Sequence, residues 1–130
     1  LDVVIACPSD GLSTAKVYAA CEPNVQRRGE AASLATYLRE SSIRQALPLM
    51  HNSLQQPART LAPSVDALLS DMAKYDALHP VLTGSGSACF SICRTAKEAS
   101  QLAARLESAG WPYVCPTRCA ARQMDNDSLE

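Results

Sequence analysis

Residues 80–90 read PVLTGSGSACF, and Thr83-Gly84-Ser85-Gly86-Ser87 places two glycines and three hydroxyls between two short apolar runs. The runs VLT and ACFSIC read as strands, because they are short, apolar and lack helical periodicity. The loop between them admits two uses. As a hairpin turn it needs only the positive φ that glycine supplies and the local hydrogen bonds that Ser and Thr supply. As an anion cradle it would let backbone N–H groups converge in a concave nest, with hydroxyls adding donors. The element after it narrows the second use. A strand follows Gly86, whereas a dinucleotide fingerprint or a Walker A loop needs a helix N-terminus behind its glycines. Any anion held here is held by backbone and hydroxyls alone.

Outward from this loop the pattern is regular. Residues 2–7, DVVIAC, read as a buried strand closed at Pro8. Ser13 can cap a short helix from Thr14 to about Ala20, which puts Thr14 and Tyr18 on one face. Residues 23–29 are polar and loop-like; Ala31, Leu34 and Leu38 recur at helical spacing up to Glu40. Ser41 or Ser42 can cap a third helix carrying Ile43, Ala46 and Leu47, interrupted by Pro48. Pro63 suits the first turn of a helix whose Val65, Leu68, Leu69 and Met72 form one stripe. After the two central strands, Ala99, Leu102, Ala103 and Leu106 mark a helix over 96–109 that stops at Gly110, and WPYVCPT reads as the last strand. Four strands in this order predict an α+β fold of ferredoxin-like kind: a four-stranded antiparallel sheet with helices on one face and a helical insertion after the first helix. The domain is expected to span residues 1–120. Residues 121–130 read as a disordered tail, its sequon Asn126-Asp127-Ser128 a chance match and Leu129-Glu130 a cloning scar.

A chain of 130 residues fits one domain and can bury roughly two thirds of its unfolded surface. An apolar fraction of 47% and a net charge of −1 exclude both a disordered chain and the basic stripe that nucleic acid demands. No apolar run approaches the ~20 residues that span a bilayer, so no membrane partner is expected and the protein is placed in the cytoplasm. The chain opens on an apolar run without an initiator methionine, which leads us to expect a piece of a longer protein. Its six cysteines, Cys7, Cys21, Cys89, Cys93, Cys115 and Cys119, are read as thiols serving as small hydrophobes. The C-x-x-x-C pairs at Cys89/Cys93 and Cys115/Cys119 suggest zinc, but four residues along a strand separate Cα atoms by about 13 Å, too far for one ion. No metal site is expected.

Three stretches together resemble one family. Leu82 to Phe90, LTGSGSACF, resembles the third motif of the GHMP kinases, the superfamily of galactokinase, homoserine kinase and mevalonate kinase. Gly11 to Tyr18, GLSTAKVY, and His51 to Gln55, HNSLQ, resemble elements of the branch that acts on 4-diphosphocytidyl-2-C-methyl-D-erythritol. The resemblance covers residues 1–120, with the motifs in order. It implies ATP-dependent phosphorylation of that substrate's 2-hydroxyl, a step of the non-mevalonate isoprenoid route. It implies too that the phosphate-binding loop, the catalytic Lys and the catalytic Asp belong to an N-terminal domain with no counterpart here. This chain then corresponds to the C-terminal domain. Its partners would be that kinase domain in cis and a small-molecule substrate; its parent would use ATP and Mg2+, neither expected to bind this piece alone. Self-association through an exposed apolar domain face would be unsurprising.

Residue roles follow from the same resemblance. No catalytic residue is expected within the chain. Tyr18 takes the place of the aromatic ring that stacks on cytosine, and Thr14 lies beside the diphosphate. Thr83, Gly84, Ser85, Gly86 and Ser87 line the cleft and touch substrate. Asn52 is either part of the site or a helix cap. Two rivals stand beside this reading: another GHMP small-molecule kinase, which would share the glycine loop, and a non-catalytic ACT-like module binding a small metabolite.

Overall fold

In the computed structural model, which describes residues 1–22 and 30–119, strands β1 (Asp2–Cys7), β2 (Val81–Leu82), β3 (Cys89–Cys93) and β4 (Tyr113–Arg118) form one sheet in the order β2-β3-β1-β4. The loop read at 23–29 and the tail read at 121–130 lie outside the described residues. Every pairing is antiparallel, with Val4 opposite Ser91 on one side and Pro116 on the other. The central place of β1 follows from its sequence: Val3, Val4 and Ala6 are all buried, so both of its faces need cover.

The helices are α1 (Thr14–Ala19), α2 (Glu30–Arg39), α3 (Ile43–Ala46), α4 (Gln55–Leu61), α5 (Pro63–Lys74) and α6 (Ala96–Ser108), with a 3-10 turn at Leu47–Leu49. Period-two alternation sorts the sheet into two cores. Val4, Ala6, Leu82, Cys89 and Cys93 pack with Leu68, Met72, Leu102 and Leu106 of α5 and α6. Fully buried side chains such as Leu68 and Leu106 each contribute about 1.5–3 kcal/mol by leaving water. Val3, Val81 and Ile92 point to the opposite face, where Leu34 and Leu38 of α2, Ile43 and Leu47 close a smaller cluster. The expectation of helices on one face is thus corrected: α4 joins the main core through Ala58, while α2 and α3 cover the second face, which Val3, Val81 and Ile92 make apolar.

Of the two caps of α6, Gly110 is the one expected from the sequence, and Thr95 is a finding of the structure. Thr95 accepts from Glu98 N–H at 3.1 Å to start α6. Gly110, at φ 98°, ends it, with Trp111 N–H donating back to Leu106 O at 3.1 Å. Two differences from the sequence reading have a clear physical reason. The last strand starts at Tyr113, not Trp111, because Trp111 Nε1 donates to Asp71 on α5 at 2.9 Å and Pro112 has no N–H to pair. Helix α4 was not expected; its Pro57 sits in the first turn, where a missing N–H costs nothing.

All six cysteines are thiols. Burial pushes the Cys89 thiol up to about 12, with Cys7 adding to the shift and Arg59 opposing it. Cys93 is raised as well, by burial and then by Glu98 and Asp2. Below the ordinary thiol value of 9.0 both are protonated in either state and their ionisation leaves stability unchanged. Above it the unfolded chain gives up protons that the fold retains, so each thiol withdraws about 1.4 kcal/mol of stability per pH unit until its folded value is reached. Urea melts of Cys89→Ala between pH 8 and 11 should therefore fall less steeply with pH than those of wild type. Parallel slopes would contradict the buried neutral thiol.

Candidate functional site

The loop after β2 is a closed turn: Thr83 N–H donates to Ala88 O at 2.9 Å and Gly86 N–H to Thr83 O at 3.0 Å. Its glycines are both left-handed, Gly84 at φ 53° and Gly86 at φ 92°. They differ in surroundings. A Cβ on Gly84 would meet open space, whereas one on Gly86 would lie 3.1 Å from both Leu12 Cδ2 and Leu82 Cδ1.

Three distant segments converge on this turn. From α1, Thr14 Oγ1 lies 3.1 Å from Ser85 Oγ. From the end of β1, Cys7 Sγ lies 3.4 Å from Ser87 Oγ. From the lead-in to α4, Asn52 Nδ2 donates to Leu82 O at 2.9 Å and to Gly84 O at 2.7 Å, while its Oδ1 accepts from Leu54 N–H at 2.9 Å. Gln55 Oε1 accepts from Leu82 N–H at 3.0 Å.

Helix α1 is seated by one residue. Ser13 caps it by accepting from Lys16 N–H, and Val17 is fully buried. With Val17 fixed inward, the next residue turns out, and Tyr18 is 60% exposed. Of the expected site residues, the structure brings Thr14 and Ser85 into contact, sets Tyr18 one turn beyond Thr14, and leaves Thr83 and Gly84 exposed at the tip of the turn, with Ser87 facing Cys7. Sequence reasoning missed the work of Gln55 and left Asn52 open between two roles; the structure gives Asn52 both a cap-like bond to Leu54 and a hold on the loop. The available signal was a short polar pair, three residues apart, at the start of a helix.

The surface so formed is an open wall carrying hydroxyls, backbone and one aromatic ring. It has the chemistry to donate to an anion and stack on a flat ring. A hollow lined by Tyr75, Ile92, Arg94 and Leu102 lies at the other end of β3 and is not part of it. Among the described residues no group of three or more His, Cys, Asp or Glu could hold a metal ion, and no helix is long and apolar enough to cross a membrane.

Comparison with known proteins gives the wall a context. The family described as GHMP kinases C terminal matches residues 31–112. A 4-diphosphocytidyl-2-C-methyl-D-erythritol kinase from Rhodopirellula baltica is 32% identical over 108 residues, which cover 83% of this chain and 32% of that protein. The same-named enzyme from Nocardia farcinica is 32% identical over 112 residues, covering 82% and 36%. The chain thus spans about a third of the length of these curated relatives. In fold it is similar to a solved 4-(cytidine 5'-diphospho)-2C-methyl-D-erythritol kinase, with a TM-score of 0.70 and 24% identity over 89% of this chain and 41% of that one. It is nearly as similar to homoserine kinase from Cytophaga hutchinsonii, with a TM-score of 0.69 and 15% identity over 87% and 40%.

Proposed function

The chain belongs to the GHMP kinase family through that family's C-terminal domain, and from this premise we propose that it is the substrate-side domain of a kinase that phosphorylates the 2-hydroxyl of 4-diphosphocytidyl-2-C-methyl-D-erythritol. The observation that carries the reading is the contact between Thr14 and Ser85, 71 positions apart, with Tyr18 exposed one turn further along α1. The names of the sequence relatives favour this substrate over those of the homoserine and mevalonate branches, which share the fold. Membership of the family also removes the ground for an ACT-like binding module.

In this reading the residues of the chain bind and orient. The Tyr18 ring stacks on the cytosine, and the Thr14 and Ser85 hydroxyls turn from each other to donate to diphosphate oxygens. Each hydroxyl rotates freely about its C–O bond, so the exchange costs one mutual hydrogen bond and gains charge-assisted ones, which are roughly twice as strong. The left-handed glycines keep side chains off the loop and let the substrate approach its backbone.

The residues present do not fit magnesium-ATP. No metal-binding cluster occurs among those described, and Gly86 runs into β3 instead of a helix that could face a triphosphate. Phosphoryl transfer needs positioned cations and a proton acceptor; we assign these to the remainder of the longer kinase proposed here. This chain of 130 residues, mixed with ATP, Mg2+ and the methylerythritol substrate, should consume no ATP above a no-protein blank in a coupled assay. Turnover by this chain would place the transfer machinery inside it and overturn the assignment.

A further inference from the structure

We infer that Asn52 is a positioning residue, one that sets the conformation of the glycine loop from outside the sheet. Strand β2 is an edge of only two residues, and Leu82 pairs with β3 at Cys89. Its N–H is taken by Gln55 Oε1 and its C=O by Asn52 Nδ2. The two side chains thus supply to Leu82 the donor and acceptor that another strand would supply, and they close an edge that would otherwise offer unpaired groups. Asn52 then reaches past the strand. Its second amide hydrogen goes to Gly84 O at 2.7 Å, fixing the first left-handed residue of the loop relative to β2.

The side-chain inventory explains the residue type. Holding two carbonyls while accepting from Leu54 N–H takes two donors and an acceptor on a short stem. Asp has the acceptor but no donors, Ser has one donor, and Gln is longer by a methylene. Both amide hydrogens of Asn52 are committed to backbone, so none is left for a ligand. Its contribution to a site is made through Gly84, not by touching what binds there. The bearing of this on a substrate rests on the function proposed above; the bearing on the loop does not.

Asn52→Ser and Asn52→Asp test it, because Ser and Asp can both still accept from Leu54 N–H and keep the cap. The measurement is amide hydrogen exchange by NMR on the 130-residue chain, each variant referred to wild type at the same pH. His51 and His79 line the same hollow as Asn52, so the Asn52→Asp series is repeated with His51→Gln and His79→Gln to separate their charge from that of the new carboxylate. Exchange at Thr83 and Gly86 should quicken about tenfold or more in Asn52→Ser, while α4 amides and Gly110 stay at wild-type rates. Asn52→Asp should be worse at neutral pH, where a carboxylate faces two carbonyls. It should recover towards Asn52→Ser as pH falls through the carboxylate range, where protonation restores one donor. Wild-type exchange at Thr83 and Gly86 in both variants, or a loss confined to α4, would leave Asn52 a helix cap and overturn the inference. The readout needs no ligand: if added cytidine 5'-diphosphate then shifts no resonance, that result counts against the kinase substrate alone.

Discussion

Gly86→Ala is expected to destabilise the domain by about 2–4 kcal/mol and Gly84→Ala by only about 1 kcal/mol, although both glycines are left-handed. The shared part is the backbone: an L-residue at positive φ brings its Cβ towards the carbonyl oxygen. The difference lies in what the new methyl meets. At Gly84 it enters open space, so conformation is the whole cost. At Gly86 it would lie 3.1 Å from Leu12 and 3.1 Å from Leu82, one leading into α1 and the other ending β2. Relief there means shifting the Leu12 or Leu82 methyl by a few tenths of an ångström, and Leu82 is packed inside the core. Overpacking of this kind adds about 1–3 kcal/mol. Urea denaturation of the two variants with wild type decides it: equal losses would remove the packing argument, and Gly84→Asn, whose side chain tolerates this backbone region, should stay close to wild type.

Much of this was legible in the chain, for identifiable reasons. Both central strands follow from largely apolar runs, that of β3 broken only by Ser91, and the stop of α6 follows from Gly110, because a left-handed glycine acts within a few residues. The ferredoxin-like fold follows from the sequence of elements. What escaped was non-local. Nothing near Leu34 or Ile43 says which face of the sheet they cover; that depends on Val3, Val81 and Ile92 pointing away from α5 and α6. Trp111 was read as strand on propensity, and a hydrogen bond to Asp71, 40 positions earlier, outweighs it. Thr14, Ser85 and Tyr18 were singled out by likeness to a family, and only the fold puts the first two in contact. Asn52 remained ambiguous because capping a helix and holding a loop ask for the same amide, and the difference lies in where Gly84 sits 32 residues later.

The Tyr18 ring carries the second large effect. Stacking a base on an aromatic side chain is worth about 1–3 kcal/mol, which is roughly a tenfold to hundredfold change in affinity, and it depends on the ring and not on the phenol hydroxyl. Tyr18→Ala should therefore weaken binding by that factor and Tyr18→Phe hardly at all. Because Val17 and not Tyr18 seats α1 in the core, neither change should alter the fold. An open wall buries less of a ligand than the roughly 70–90% typical of a closed pocket, so affinity of this chain alone should be millimolar or weaker. The measurement that bears most directly on the account is an NMR titration of the chain and these two variants with cytidine 5'-diphosphate. The account predicts saturable shifts at Thr14, Tyr18 and the turn from Thr83 to Ser87, preserved in Tyr18→Phe and lost over the same concentrations in Tyr18→Ala. Unmoved resonances at those positions, or shifts that survive Tyr18→Ala unchanged, would contradict the placement of a cytidine diphosphate substrate on this wall.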